Sequence, residues 1–153
     1  MWPDPIIPGT GQRFGCNMIS AITNRGQLNF MVFKQRFRAD VFIDFLRRMM
    51  RQIPRRFFLI IDRHPVHLSL KVKRWLQKYI RHLTVFFLPI YSPDLNPDEF
   101  LNQDVKSNAV GRRRARNQQE LTANTRSYLW SRQRQPHIVR RYFQEKHVRY
   151  AAM

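Results

Sequence analysis

Five consecutive apolar residues, Phe57-Phe58-Leu59-Ile60-Ile61, run straight into an aspartate, Asp62. A run of that length reads as a strand buried on both faces, the habit of a parallel sheet. Behind it, Val72, Trp75, Leu76, Tyr79 and Ile80 recur at i, i+3, i+4, i+7 and i+8, which predicts a helix over about 69–81. Thr84 to Leu88 supplies a second short buried strand. Parallel neighbours need a crossover between them, so residues 57–88 predict a strand–helix–strand unit and an α/β fold.

The flanking segments extend this plan. Residues 1–12 hold Pro3, Pro5, Pro8, Gly9 and Gly11 and read as an irregular lead-in. Residues 16–23 and 28–34 predict two strands, joined as an antiparallel hairpin through Asn24-Arg25-Gly26. Val41, Phe42, Phe45, Leu46, Met49 and Met50 form one apolar face and predict a helix over 39–51, which Pro54 closes. Asp40 and Asp44 lie early in it and Arg47, Arg48 and Arg51 late, the favourable order for the helix dipole. Further helices are expected over about 97–109, 118–131 and 137–147.

Charge narrows the partner. The chain has 153 residues and a net charge of +18, with 43% hydrophobic residues, enough apolar content to argue against disorder. Residues 101–153 alone carry 12 basic and 3 acidic side chains, and arginine outnumbers lysine 22 to 6. The guanidinium fork matches phosphate oxygens in pairs, so a nucleic acid is the expected partner, with salt-sensitive affinity. One cysteine, Cys16, rules out an internal disulfide and a cysteine-rich zinc cage. No basic-then-apolar leader opens the chain and no apolar run can cross a bilayer, so a soluble cytoplasmic protein is expected, nucleoid-associated in a bacterium, with no membrane partner.

Two carboxylates stand out. Asp62 sits at a strand end, where open α/β sheets present ligand-binding residues and where carboxylates can hold divalent cations against a phosphodiester. The alternative is that it caps a turn or pairs with Arg63. In Ser92-Pro93-Asp94-Leu95-Asn96-Pro97-Asp98-Glu99, Asn96 suits an N-cap, Pro97 the first helical position, and Glu99 a capping box reaching back to the Asn96 amide. Such a cap fixes where an acid in the first turn points. Asp94, Asp98 and Asp104 are competing acids. A zinc site built on His64 and His67 lacks an evident third soft ligand.

Together these residues carry a resemblance. LIIDRHPVHLSLKVKRWLQ followed by VFFLPIYSPDLNPDEFLNQDVK is similar to the catalytic core of mariner-like insertion-sequence transposases, endonucleases of the DDE superfamily. GQRFGCNMISAITNRGQLNFMVF and ADVFIDFLRRMM resemble the strands and helix that precede it, so the match spans roughly residues 11–110. Thirty-six residues separate Asp62 from Glu99, similar to the family's spacing.

The resemblance implies a ribonuclease H-like mixed sheet flanked by helices, incomplete at its N-terminus. It divides the chain into the lead-in 1–12, a partial endonuclease core 13–110 and a basic helical extension 111–153. It makes Asp62 and Glu99 the second and third catalytic acids, holding Mg²⁺ or Mn²⁺ for DNA cleavage and strand transfer. His67 is assigned to orientation or DNA contact, and Arg112, Arg113, Arg114 and Arg116 to DNA contact. Arg63 departs from the commoner asparagine of the family. The family's first catalytic aspartate belongs to a strand upstream of 16–34, and Asp4 is not given that role. The implied partners are DNA, as transposon ends and target, and an upstream transposase fragment or a second copy. Rival readings are an inactive DNA-binding remnant that inhibits an intact transposase, and a basic RNA-binding protein, in which Asp62 and Glu99 would not converge.

Overall fold

The computed structural model describes residues 6–8, 15–90, 93–111 and 114–152. The chain divides into two compact units, one made of residues 36–96 and the other of residues up to 35 together with 97–153. No helix among the described residues is long and apolar enough to cross a membrane.

The unit of residues 36–96 contains α1 (Ala39–Gln52), β4 (Phe57–Ile61), α2 (Leu70–Lys78) and β5 (Leu83–Phe87). β4 and β5 pair in parallel, Phe57 opposite Leu83 through Ile61 opposite Phe87, as the two apolar runs predict. Leu88 adds one more rung by donating its amide to the Ile61 carbonyl at 2.8 Å. Burial follows the helical period: Val41, Phe42, Phe45, Leu46 and Met49 of α1 and Val72 and Trp75 of α2 are buried. In the strands Leu59, Ile61 and Leu83 are buried, but Phe58 and Phe86 on the opposite face are exposed, so within this unit the pair is buried on one face and not on both as its apolar runs predict. Ser69 caps α2, its hydroxyl accepting from the Val72 amide at 3.4 Å. The helix stops at Lys78, three residues short of the expected end, because residues 79–82 fold into a turn closed by His82 N–H on the Tyr79 carbonyl at 2.9 Å.

The second unit holds β1 (Ile6–Pro8), β2 (Gly15–Ile22), β3 (Leu28–Phe33), α3 (Asp98–Val105), α4 (Gln118–Gln133) and α5 (Pro136–Arg141). β1, β2 and β3 form an antiparallel sheet in that order, with Ile7 opposite Cys16 and Ile19 opposite Met31. A strand therefore lies inside the stretch expected to be irregular. Gly26 turns the β2–β3 hairpin with φ of +93°, a conformation side chains rarely adopt. After α3 the backbone widens into one π-helical turn, Lys106–Val110. Cys16, Met18 and Leu28 of the sheet share one core with Leu101 and Val105 of α3, Leu121 and Leu129 of α4 and Val139 of α5. α4 and α5 thus complete the core of this unit.

Candidate active site

Asp62 follows β4 directly, so the strand delivers its carboxylate to the carboxyl end of the parallel pair. The local chain then folds back on it. The His64 amide donates to Asp62 Oδ1 at 3.0 Å, an Asx turn, and the Leu68 amide closes the following turn on the His64 carbonyl at 3.2 Å. His67 arrives beneath this turn with Nδ1 3.0 Å from Asp62 Oδ1 and 3.2 Å from the Asp62 carbonyl. Both neighbours are acceptors, so the proton of this imidazole belongs on Nδ1. The ring packs on Phe42 of α1, centroids 4.5 Å apart, and is 1% exposed.

A ring so enclosed, with its Nδ1 turned to Asp62, is placed to orient that carboxylate. Asp62 itself keeps 38% of its side chain open. Burial works to raise its pKa, but the hydrogen bond and charge of His67 and the His64 amide hold it below the ordinary carboxylate range. Asp62 is thus an ionised, part-exposed oxygen donor that also caps its turn. It does not depend on Arg63, whose Nε donates to the Leu88 carbonyl at 3.1 Å while the guanidinium lies 5.7 Å from the Phe87 ring centroid.

Glu99 lies in the other unit, half-buried in the first turn of α3. The start of that helix differs from expectation by one residue. Pro97 occupies the cap with φ −63° and ψ −25°, already helical, and no side-chain cap bond is made there. A different pair anchors the turn. Asp98 is 3% exposed, and the buried Ser20 hydroxyl of β2 lies 2.9 Å from both of its carboxylate oxygens. At the far end of α3, Asp104 receives Arg132 Nε at 2.7 Å, Tyr142 Oη at 2.6 Å, Tyr128 Oη at 2.5 Å and Asn108 Nδ2 at 2.7 Å. Burial raises the pKa of Asp104, but these four donors outweigh it and hold it at about 2.

The competing acids of α3 are thereby committed to structure. Asp98 ties the helix to β2 and Asp104 ties it to α4 and α5, and Glu99 stands between them. One residue hints at this arrangement in advance: Ser20 is polar in the middle of the apolar strand that contains Cys16 and Ile22. Three of the four partners of Asp104, Tyr128, Arg132 and Tyr142, lie 24 to 38 residues away and leave no local signal.

Arg112 and Arg113 lie outside the described residues. Arg114 and Arg116 are exposed, and Arg116 sits 4.0 Å from Glu120 in a one-turn ion pair of little energetic weight. His64 Nδ1 accepts the Val66 amide at 3.0 Å, a local turn bond.

Known proteins share this architecture, although no curated protein sequence matches the chain. The catalytic domain of Mos1 mariner transposase superimposes with a TM-score of 0.70 at 15% identity, over 98% of this chain and 80% of that one. The same catalytic domain with raltegravir and Mg matches with a TM-score of 0.70 at 15% identity, over 99% and 82%. The Mos1 strand transfer complex matches at 0.63 and 19% identity, over all of this chain and 49% of that one. These likenesses establish a ribonuclease H-like α/β fold. A family model described as DDE superfamily endonuclease matches residues 4–122. With most of its length under that model and the fold to go with it, the chain belongs to the DDE superfamily endonucleases.

Proposed function

We propose that this chain is the catalytic part of a transposase that cleaves and joins DNA by divalent-metal chemistry, with Asp62 and Glu99 as the acids that hold the metal. The observation that carries the reading is Asp62: an ionised carboxylate at the end of a parallel strand, part-open, and fixed from behind by a buried imidazole 3.0 Å away. The donor chemistry suits Mg²⁺ or Mn²⁺, which take hard oxygen ligands. Two such ions supply Lewis-acid stabilisation of the attacking and departing oxygens when bound. What the chain's own residues contribute is placement: His67 and the His64 amide set the Asp62 carboxylate, and Ser20 and Asp104 set the helix that carries Glu99.

The partners that go with this reading are transposon-end and target DNA, and a second copy or an upstream transposase segment. The related structures support the DNA and the metal, since one is a Mos1 paired-end complex with a left transposon end and others carry Mg or Mn. The second reading is DNA binding without cleavage, which the exposed Arg114 and Arg116 would serve as well.

Nicking of supercoiled plasmid in Mg²⁺ and in Mn²⁺ separates the two. Metal-dependent nicking abolished by either Asp62→Asn or Glu99→Gln, with duplex affinity retained, supports the catalytic reading. Nicking that survives both substitutions overturns the assignment of the acids. Tight binding with no nicking under either ion, alone or with an upstream transposase segment added, supports the second reading.

A further inference from the structure

The unit of residues 36–96 carries a second feature that neither Asp62 nor Glu99 accounts for. An open groove of about 570 Å³ runs between α1 and α2. Its floor is apolar, with Ile43 and Trp75 both buried. Its walls are charged: Arg47 from α1 and Lys71, Arg74 and Lys78 from α2 line it, all exposed, against one carboxylate, Asp40. None of the four cations makes an ion pair among the described residues. Arg48, by contrast, is spent on Asp44 at 3.4 Å.

The spacing is what turns this from general basicity into a surface with a direction. Lys71, Arg74 and Lys78 fall at i, i+3 and i+7, so they form one stripe along α2. With 1.5 Å of rise per residue the stripe is about 10.5 Å long. One strand of a DNA duplex advances roughly 3.4 Å per charge along the axis, so the stripe spans about three phosphates. Asp40, Ile43 and Arg47 repeat the same spacing on α1 and set Arg47 across the groove from the stripe. Lys73 shows the contrast on the same helix, since it lines a different, mainly apolar hollow with Leu76, Ile80 and Leu83.

We propose that the α1–α2 groove is a track for the phosphodiester backbone of duplex DNA, gripped by Arg47, Lys71, Arg74 and Lys78, separate from the residues assigned to cleavage. The proposal shares the DNA reading of the proposed function but does not use its two acids, so the two can fail independently.

The test is binding of the full chain to a fluorescent random-sequence DNA duplex, followed by anisotropy across a KCl series in EDTA, where no metal chemistry contributes. Removing one phosphate-binding cation should lower the slope of log K against log salt by roughly 0.9. The triple variant Lys71→Gln, Arg74→Gln, Lys78→Gln is expected to flatten it by about 2.7. The control triple Arg55→Gln, Lys73→Gln, Arg81→Gln removes the same charge from exposed positions of the same unit outside the groove. A clearly smaller slope change in the control supports the track. Equal changes in both triples, or none in the groove triple, overturn it. A duplex RNA arm adds a third outcome: groove-dependent binding tighter for RNA than for DNA also overturns it. Circular dichroism of both triples shows whether they remain folded, and Arg47→Gln alone, with an expected change of about 0.9, repeats the test from the other wall.

Discussion

His67 holds Asp62 through a single nitrogen that faces two oxygens of the same residue: Nδ1 is 3.0 Å from Oδ1 and 3.2 Å from the backbone carbonyl. The side chain of Asp62 and the end of its strand are therefore fixed by one buried ring. Burial drives the imidazole's pKa below its ordinary value of 6.5, against the hydrogen bond and charge of Asp62, so the ring is neutral at pH 7. Because the folded pKa is the lower one, the associated stability is complete above pH 6.5 and declines as pH falls below it. His67→Ala removes the ring packed on Phe42 and the donor to Asp62 together. We expect a loss of about 2–4 kcal/mol by urea unfolding at pH 7 and an Asp62 carboxyl that titrates higher by NMR. An Asp62 titration unchanged in the variant would show that the imidazole does not set it.

How much of this is legible in the chain differs from element to element, and for physical reasons. β4, α2 and β5 can be read because a five-residue apolar run and a 3.6-residue period have few other solutions. α3 begins one residue later than its sequence predicts, since Pro97 is a good first helical residue in the abstract but here occupies the cap with helical angles of its own. The π-turn at Lys106–Val110 has no side-chain signature to read. The pattern predicts a last helix to residue 147, yet regular helix ends at Arg141, and Tyr142 spends its hydroxyl on Asp104 instead. Asp62 is visible because a charge ending an apolar strand is conspicuous. The burial of His67 is not, because a histidine in a polar loop gives no sign of which way it turns.

Asp104 provides a pH signature for the second unit. Its folded pKa of about 2 lies below the unfolded value of 3.8, so its contribution is present above about pH 4 and lost as pH falls toward 2. The shift corresponds to about 2 kcal/mol. The side chain is only 13% exposed, so solvent screening takes little from that figure. Asp104→Asn should therefore destabilise the chain by about 2–3 kcal/mol at pH 7, and the gap from the unsubstituted protein should close by about pH 2. Unfolding curves measured at both pH values check this. Tyr142→Phe in the same background should add less than it does alone, because both substitutions break one network.

The β2–β3 hairpin makes a sharper prediction. A Cβ on Gly26 would lie 2.5 Å from the Pro136 carbonyl oxygen and 2.7 Å from Pro136 Cβ, in addition to facing a φ of +93°. Asparagine normally tolerates positive φ, so a purely conformational constraint would let Gly26→Asn fold better than Gly26→Ala. Here the first residue of α5 occupies the space either side chain needs. Both variants are expected to lose about 2–4 kcal/mol, and by similar amounts, in chemical denaturation. A clear advantage for asparagine would mean that α5 yields at Pro136.

The two adjacent acids of α3 should separate cleanly. Asp98 is buried with Ser20 across both oxygens, whereas Glu99 is half-buried with the first turn around it. Asp98→Asn leaves a buried amide facing a hydroxyl placed for a carboxylate, and Ser20→Ala strips the carboxylate of that donor. Each should cost about 1–3 kcal/mol of stability, and together less than their sum. Glu99→Gln should change the unfolding midpoint little. The order is reversed for metal: Mn²⁺ binding, followed by the loss of its free-ion electron paramagnetic resonance signal, should weaken most in Glu99→Gln and less in Ser20→Ala, which keeps both carboxylates and loosens only the anchor of their helix. Asp98→Asn is the informative variant, because it removes the charge of the neighbouring acid. Mn²⁺ binding lost in Asp98→Asn and unchanged in Glu99→Gln would make Asp98 the metal-holding acid of this helix, and the two assignments would exchange places.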